Sequence, residues 1–234
     1  MSNKISVRDS GLLQGFCDYH CHLLPSVDDG VEMMEDSLHI LSLWESAGMR
    51  EVWMTPHIME DYPNKPDDLR QRFEKVKQAY NGSIALHLAS ENMMDTLFAN
   101  RLEADELLPM GSGHDCLLVE TSYYTPPINM KELFDRTKSK GYKPILAHPE
   151  RYRYMNRLDY KYWRQEGVLL QLNVSSLTGD YGQEAKAKAE WLLRQGMYDL
   201  CGTDTHAIEQ TDIFLNAPIS KNTVKRLKAI CHRI

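Results

Sequence analysis

The sequence predicts a single-domain α/β fold of the (β/α) barrel kind, with seven mostly parallel strands in 234 residues. Three observations predict it. Short apolar runs recur along the chain, each followed by a stretch with helical spacing. The runs are nearly all apolar rather than alternating, as parallel strands are when helices cover one face and a packed interior the other. No composition break, internal repeat, linker or glycine-rich phosphate loop (GxGxxG or GxxxxGK) divides residues 1–234 into two domains or points to an open doubly wound sheet.

The units follow in order. Residues 15–22 (GFCDYHCH) form the first strand, and the helix over 33–47 carries Leu38, Leu41 and Trp44 at helical spacing with Gly48 as its stop. The second strand is 51–57 (EVWMTPH), and its helix opens after Lys65-Pro66 and runs to about residue 80. Strand 84–91 and helix 96–108 make the third unit, strand 115–120 (DCLLVE) and helix 129–140 the fourth. The fifth pairs 143–148 (KPILAH) with a Tyr- and Arg-rich helix over 154–166, and the sixth pairs 168–173 with 183–195. Strand 198–204 is the seventh, and a last helix covers 221–231.

Composition narrows the function classes. An apolar fraction of 42% supports a normal core, and 26% charged residues give an ordinary soluble surface. The net charge is −6, with Lys and Arg scattered rather than striped, which argues against nucleic acid as the partner. The N-terminal stretch carries Lys4, Arg8 and Asp9 without an uninterrupted apolar core, and no later segment has the length to cross a bilayer. A cytoplasmic protein without membrane insertion is expected. The five cysteines (17, 21, 116, 201 and 231) are odd in number, widely spaced and free of CxxC pairs, so buried reduced thiols are expected. None stands five residues ahead of an arginine, so the thiolate-plus-arginine loop of cysteine phosphatases is missing.

The strand ends carry the chemistry. In six of the seven units a potential metal ligand closes the strand or lies just beyond it. These are His20, His22 and then Asp29 in the first, His57 in the second, Glu91 in the third and Glu120 in the fourth. The fifth gives His148, and the seventh gives Asp204 and His206. Barrel enzymes place their chemistry on this face. Residues two apart on a strand point the same way, so Asp18, His20 and His22 share a face, and Asp204-Thr205-His206 repeats the spacing. Asp18 is placed to orient a ligand histidine through its second ring nitrogen. Taken singly, a strand-end His is more often a hydrogen-bonded structural residue, and Asp28 or Asp29 could cap the turn before the first helix. Five imidazoles and four carboxylates at corresponding places in one fold point instead to metal. The other histidines read as structural: His39 as a partly buried packing residue, His87 a layer deeper than Glu91, His114 in a Gly-rich loop and His232 in the tail. Tyr123-Tyr124 and the aromatic group from Arg151 to Trp163 could line a substrate cleft or an oligomer surface, with core or rim packing the first reading for most of them.

These residues resemble the PHP (polymerase and histidinol phosphatase) family of trinuclear metal phosphoesterases. Within it they resemble the bacterial manganese-dependent protein tyrosine phosphatases of capsule and exopolysaccharide operons. The carrying motifs are 18–22 (DYHCH), the loop ending Val27-Asp28-Asp29-Gly30, Glu35-Asp36-Ser37 and Thr55-Pro56-His57. Glu91, Glu120, 147–151 (AHPER) and 202–206 (GTDTH) complete them. An HxH pair alone is weak, but the DDG loop and AHPER segment in this order are specific. The resemblance implies a distorted seven-stranded TIM-like barrel holding three divalent metal ions, manganese first, with iron or zinc compatible. It implies that His20, His22 and Asp204 hold one metal, with Glu91 bridging to a second completed by Glu120 and His148. Asp29, His57 and His206 would hold the third, and Arg151 would bind the phosphate. These phosphatases usually carry another arginine after the last histidine; here 207–212 reads AIEQTD. Oxyanion stabilisation would then rest on Arg151 and the metals.

The implied activity is phosphomonoester hydrolysis, with a phosphotyrosine protein as substrate, specifically a bacterial tyrosine autokinase controlling polysaccharide export, and with a homo-oligomer compatible. Two other readings share the residues: a small-molecule phosphatase such as histidinol phosphatase, and a non-catalytic metal-binding protein of the same fold.

Overall fold

In the computed structural model, which describes residues 4–230, all seven predicted strands are present, but two are broken. In chain order the strands are β1 (Lys4–Ser6), β2 (Cys17–Cys21), β3 (Glu51–Met54), β4 (His57–Ile58), β5 (Ala85–Leu88) and β6 (Glu91–Met93). They continue with β7 (Cys116–Glu120), β8 (Lys143–Leu146), β9 (Leu169–Asn173), β10 (Leu200–Gly202) and β11 (Pro218–Ser220). The helices are α1 (Met34–Ala47), α2 (Pro66–Ala79), α3 (Phe98–Glu103), α4 (Met130–Ser139), α5 (Arg157–Gln165), α6 (Val174–Thr178), α7 (Gly182–Gln195), α8 (Ile208–Asn216) and α9 (Lys221–Leu227).

The fold is mixed α/β, with its parallel strands in two sheets. Six strands run in the order β10-β9-β8-β7-β6-β4, and three in the order β2-β3-β5. Two of the seven expected strands are interrupted. The predicted run 51–57 is split into β3 and β4 at Thr55-Pro56, where proline has no N–H for the ladder. The run 84–91 is split into β5 and β6 at Ala89-Ser90, because Ser90 turns to other partners. Its N–H donates to the Leu108 carbonyl at 3.0 Å, and its hydroxyl accepts from the Leu108 N–H at 2.9 Å. The same contacts shorten the predicted helix 96–108 to α3, since Leu107 and Leu108 turn inward as core residues. Beyond β10 and β2 the two sheets touch. The Asp204 N–H donates to the His20 carbonyl at 2.8 Å, and the His22 N–H to the Thr205 carbonyl at 2.9 Å.

Helix ends follow the sequence signals. Gly48 ends α1 at φ 99°, Pro66 opens α2, and Asn156 with Asp159 makes a capping box on α5. On α1, Leu41 and Trp44 are buried with Ile40, each fully buried side chain contributing about 1.5–3 kcal/mol. Most of the core lies between strands and helices, and a smaller cluster fills the space inside the curled strands. Along β7 the inner face reads Cys116, Leu118 and then Glu120, apolar below and carboxylate at the top.

Four short elements lie outside the sequence expectation: α6, α8 and the antiparallel pair β1–β11, which joins the start of the described chain to residue 220. The last helix ends at Leu227, and residues 231 and 232, in the predicted helix and tail, lie outside the described residues. His39 is exposed rather than partly buried. His87 stacks on Trp53 with ring centroids 4.5 Å apart, away from the metal-ligand candidates, as a structural residue would. Four cysteines (Cys17, Cys21, Cys116 and Cys201) are buried and unpaired with one another. Among the described residues no helix is long and apolar enough to cross a membrane.

Candidate metal centre

Each predicted ligand sits at one end of a strand or in the segment beyond it. His20 lies in β2 and His22 just past it, His57 and Glu91 open β4 and β6, and Glu120 closes β7. His148 and Asp204 lie just past β8 and β10, at φ of 31° and 54°. Left-handed backbone is costly for residues with a side chain, and strain of this kind concentrates at functional sites. Asp29 comes from the loop before α1, and His206 from the segment before α8.

The structure brings eight of the nine together as three overlapping groups, and the ninth, His148, stands against Glu91. His20, His22, Glu91 and Asp204 form one; His57, Glu91 and Glu120 a second; His22, Asp29, His57 and His206 a third. The His20 and His22 Nε2 atoms are 3.1 Å apart, and Glu91 Oε2 lies 3.1 Å from the first and 3.3 Å from the second. Glu91 Oε1 is 3.0 Å from His148 Nε2, and Glu120 lies 3.9 Å from the same nitrogen. The groups differ from the implied ligand sets in three ways: His22 also belongs to the Asp29 group, His57 also stands against Glu91 and Glu120, and His148 lies outside the Glu120 group, 3.0 Å from Glu91.

The donor set fits divalent cations. Two imidazole nitrogens 3.1 Å apart, facing carboxylates, are balanced by a shared cation more readily than by one another. The buried Nδ1 atoms of His57 and His148 have no hydrogen-bond partner, an uncommon state for a buried polar atom. The His57 nitrogen stands 3.1 Å from Glu120 Oε1, yet without the alignment of a hydrogen bond. Nitrogen and oxygen donors without thiolate suit manganese, iron or zinc.

Charge within the pit is strongly coupled. Burial alone would lower the His20 pKa, but Glu91 and Asp204 overcome it and raise it to about 9. His22 is raised well above its usual value, chiefly by Asp28 against the same burial. Burial opposes ionisation of Glu91 and Asp204, yet His20 and the other imidazoles hold both well below the carboxylate range.

Supporting residues are where the sequence reading fell short. Asp18 does not meet a ligand histidine through a ring nitrogen: its carboxylate accepts from the His20 N–H at 3.1 Å, the Thr203 N–H at 2.9 Å and the Thr203 hydroxyl at 2.6 Å. It ties β2 to the end of β10. The predicted orienting role falls to Asp28, which accepts from His22 Nδ1 at 2.8 Å and from the His57 N–H at 2.9 Å. The sixth strand supplies two groups the sequence analysis passed over. Gln171 Oε1 meets His20 Nδ1 at 3.1 Å and accepts from the His148 N–H at 3.1 Å; Asn173 Nδ2 donates to Asp204 at 3.0 Å. Their signal was available, since polar residues two apart near a buried strand's end share one face. In the stretch 207–212 just after His206 there is no arginine; Gln210 of α8 accepts from the His206 N–H at 2.7 Å.

Gly202 permits the close approach of β10 to β2. A Cβ there would stand 2.4 Å from the His20 Cβ. Gly202→Ala is therefore expected to cost about 1–3 kcal/mol and to weaken metal binding, as read by urea unfolding and metal titration.

Arg151, in the turn Pro149–Arg151, is ion-paired to Asp204. Its guanidinium lies 4.6 Å from the Tyr123 ring and 4.1 Å from the Tyr181 ring. Tyr123 is thus a site residue rather than simple packing, and Tyr181 is one the sequence analysis did not single out. Next to Arg151 opens a cleft of about 330 Å³.

The family described as "Capsular polysaccharide synthesis, CpsB/CapC" matches residues 16–227. The tyrosine-protein phosphatase YwqE of Bacillus subtilis is 27% identical over 198 residues, covering 82% of this chain and 78% of that protein. The tyrosine-protein phosphatase CpsB of Streptococcus agalactiae serotype V is 23% identical over 220 residues, covering 85% and 86%. A solved structure from work on YwqE of Bacillus subtilis and CpsB of Streptococcus pneumoniae, described as metal-dependent tyrosine phosphatases, shares the fold. Its TM-score is 0.78 at 24% identity, over 92% of this chain and 85% of the other. With the family match extending over nearly all the described residues, this chain belongs to the CpsB/CapC family of capsular polysaccharide synthesis.

Proposed function

We propose that the chain is a metal-dependent protein-tyrosine phosphatase of capsule or exopolysaccharide synthesis. The observation that carries this is the meeting of eight His, Asp and Glu side chains, with His148 against Glu91 as a ninth, in one mouth next to an arginine packed against two tyrosine rings. The names of the relatives favour phosphotyrosine over a small-molecule phosphate. We read the strands as a distorted barrel of seven staves, two of them interrupted, joined where β2 meets the segment after β10. We take the number of cations as three, with manganese first, and the nine named residues as their ligands. The partner we infer is a phosphotyrosine protein, a tyrosine autokinase in the capsule setting.

The residues suit the chemistry. Divalent cations bound here supply a lowered pKa for the attacking water and neutralise phosphoryl charge. Arg151 is kept protonated by Asp204 against the opposing effect of burial, and its planar fork matches two phosphoryl oxygens. The Tyr123 and Tyr181 rings pack against that fork, at 4.6 and 4.1 Å. Burial raises the pKa of both phenols, so they stay neutral beside the incoming dianion. Asp28, Gln171 and Asn173 fix the ligand side chains before substrate arrives, which avoids reorganisation during the reaction.

Protein stripped of metal and given manganese is expected to release phosphate from a phosphotyrosine peptide, with His148→Ala at least about 100-fold slower. Hydrolysis without metal, or none with any divalent ion, would sink the reading. Arg151→Lys keeps the charge but loses the fork and is expected to lower kcat/KM about 10- to 100-fold in the same assay.

A further inference from the structure

The cleft beside Arg151 does not end there. A second cleft, of about 310 Å³, runs on from it along α5 and α7, and the two share Arg153, Glu184 and Lys188. The groove's wall is a row of cations laid on aromatic rings. Arg151 lies over Tyr123, Arg153 lies 4.9 Å from the Tyr124 ring, and Arg157 lies 5.0 Å from the Trp191 ring. The Arg153 N–H donates to the Tyr123 carbonyl at 2.8 Å, which keeps successive Arg–Tyr pairs in step.

The charge balance along this row is uneven. Arg151 is answered by Asp204, and Lys188 by Glu184 at 2.8 Å. Arg153 and Arg157 have no carboxylate within ion-pair distance among the described residues. The groove's other carboxylate, Glu150, is buried and already taken by the Tyr198 and Ser176 hydroxyls at 2.9 Å each. Among the described residues Glu184, already paired with Lys188, is the carboxylate that also acts on Arg153, so an otherwise acidic chain, at net −6, leaves two arginines outside any ion pair beside its phosphate-binding position.

We propose that this groove seats the substrate chain flanking the phosphotyrosine, and that Arg153 and Arg157 select acidic side chains there. The inference rests on the phosphatase reading above. Arg151 and Arg153 are two residues apart with extended backbone at Tyr152, about 7 Å along the chain. An Asp or Glu one or two residues from the phosphotyrosine would therefore reach Arg153, and one further out Arg157. The exposed Tyr124 ring, 65% accessible, offers a face on which the peptide backbone can lie.

The test compares kcat/KM for phosphotyrosine peptides flanked by Asp, Ser or Lys, alongside free phosphotyrosine. The manganese-loaded enzyme is expected to prefer the Asp peptide over the Lys peptide by about fivefold or more at low salt, with the ratio shrinking in 0.5 M salt. Arg153→Glu is expected to reverse the ratio, and Arg157→Glu to reduce it for acids placed further out. Equal rates on all three peptides while free phosphotyrosine is hydrolysed would overturn the groove proposal alone. A preference that survives both charge reversals would do the same. No hydrolysis of free phosphotyrosine would instead overturn the phosphatase reading, and anisotropy of a labelled Asp-flanked phosphotyrosine peptide would still show whether Arg153→Glu loses binding.

Discussion

Glu91→Gln is expected to reduce turnover by a factor of about 1,000 or more and to lower the metal content of the purified protein. No other carboxylate in the mouth meets as many imidazoles. One oxygen lies 3.0 Å from His148, and the other 3.1, 3.3 and 3.4 Å from His20, His22 and His57. Glutamine keeps the size and one acceptor but loses the charge, and its NH2 group is a donor aimed at nitrogens that must accept. Two of the three ligand groups lose their shared member at once. Elemental analysis and the phosphotyrosine assay read the two effects separately. A variant with full metal content and wild-type turnover would show that Glu91 is not a bridging ligand. The variant should still fold, since Glu91 N–H is held by the Thr55 and Pro56 carbonyls whatever the side chain does.

How much of this was legible beforehand divides along physical lines. Ligands at strand ends were readable because their type, order and spacing repeat from unit to unit, and all nine converge. Long helices with a stop or start residue, such as α1 before Gly48 and α2 from Pro66, were readable for the same local reasons. Asp18 was misread because its carboxylate is claimed from 185 residues away by Thr203, a partner no local pattern reveals. Gln171 and Asn173 were passed over because an amide is not a metal ligand by type; its importance appears only when the histidine it steadies is in view. The splitting of the second and third strands came from a proline without a donor and a serine bonded to the far segment at Leu108. The groove past Arg153 joins residues from three segments of chain, so it had no signature in any one of them.

Metal-free protein is expected to lose stability as pH rises from about 6.5 to 9, while metal-loaded protein gains over the same range. The sign follows from His20, whose pKa is raised from 6.5 to about 9 in the fold. Between those values the folded chain binds a proton the unfolded chain does not. The contribution is therefore fully present below pH 6.5 and is lost as pH climbs through 9. A shift of this size corresponds to roughly 3 kcal/mol. His22 is shifted the same way and extends the loss to higher pH. Asp28 works oppositely but elsewhere: held down to about 2 by the His22 imidazole against its own burial, it contributes above pH 3.8 and is lost only in strong acid. Cations must displace the imidazole protons, so binding near pH 7.5 should release them and strengthen as pH rises. Urea midpoints with manganese and with chelator should therefore move apart from pH 6.5 to 9. Calorimetry in two buffers of different ionisation enthalpy should show at least one proton released per protein. Parallel midpoints with no proton release would mean that the imidazoles are already neutral in the metal-free fold, and that Glu91 and Asp204 do not hold the charge this geometry gives them.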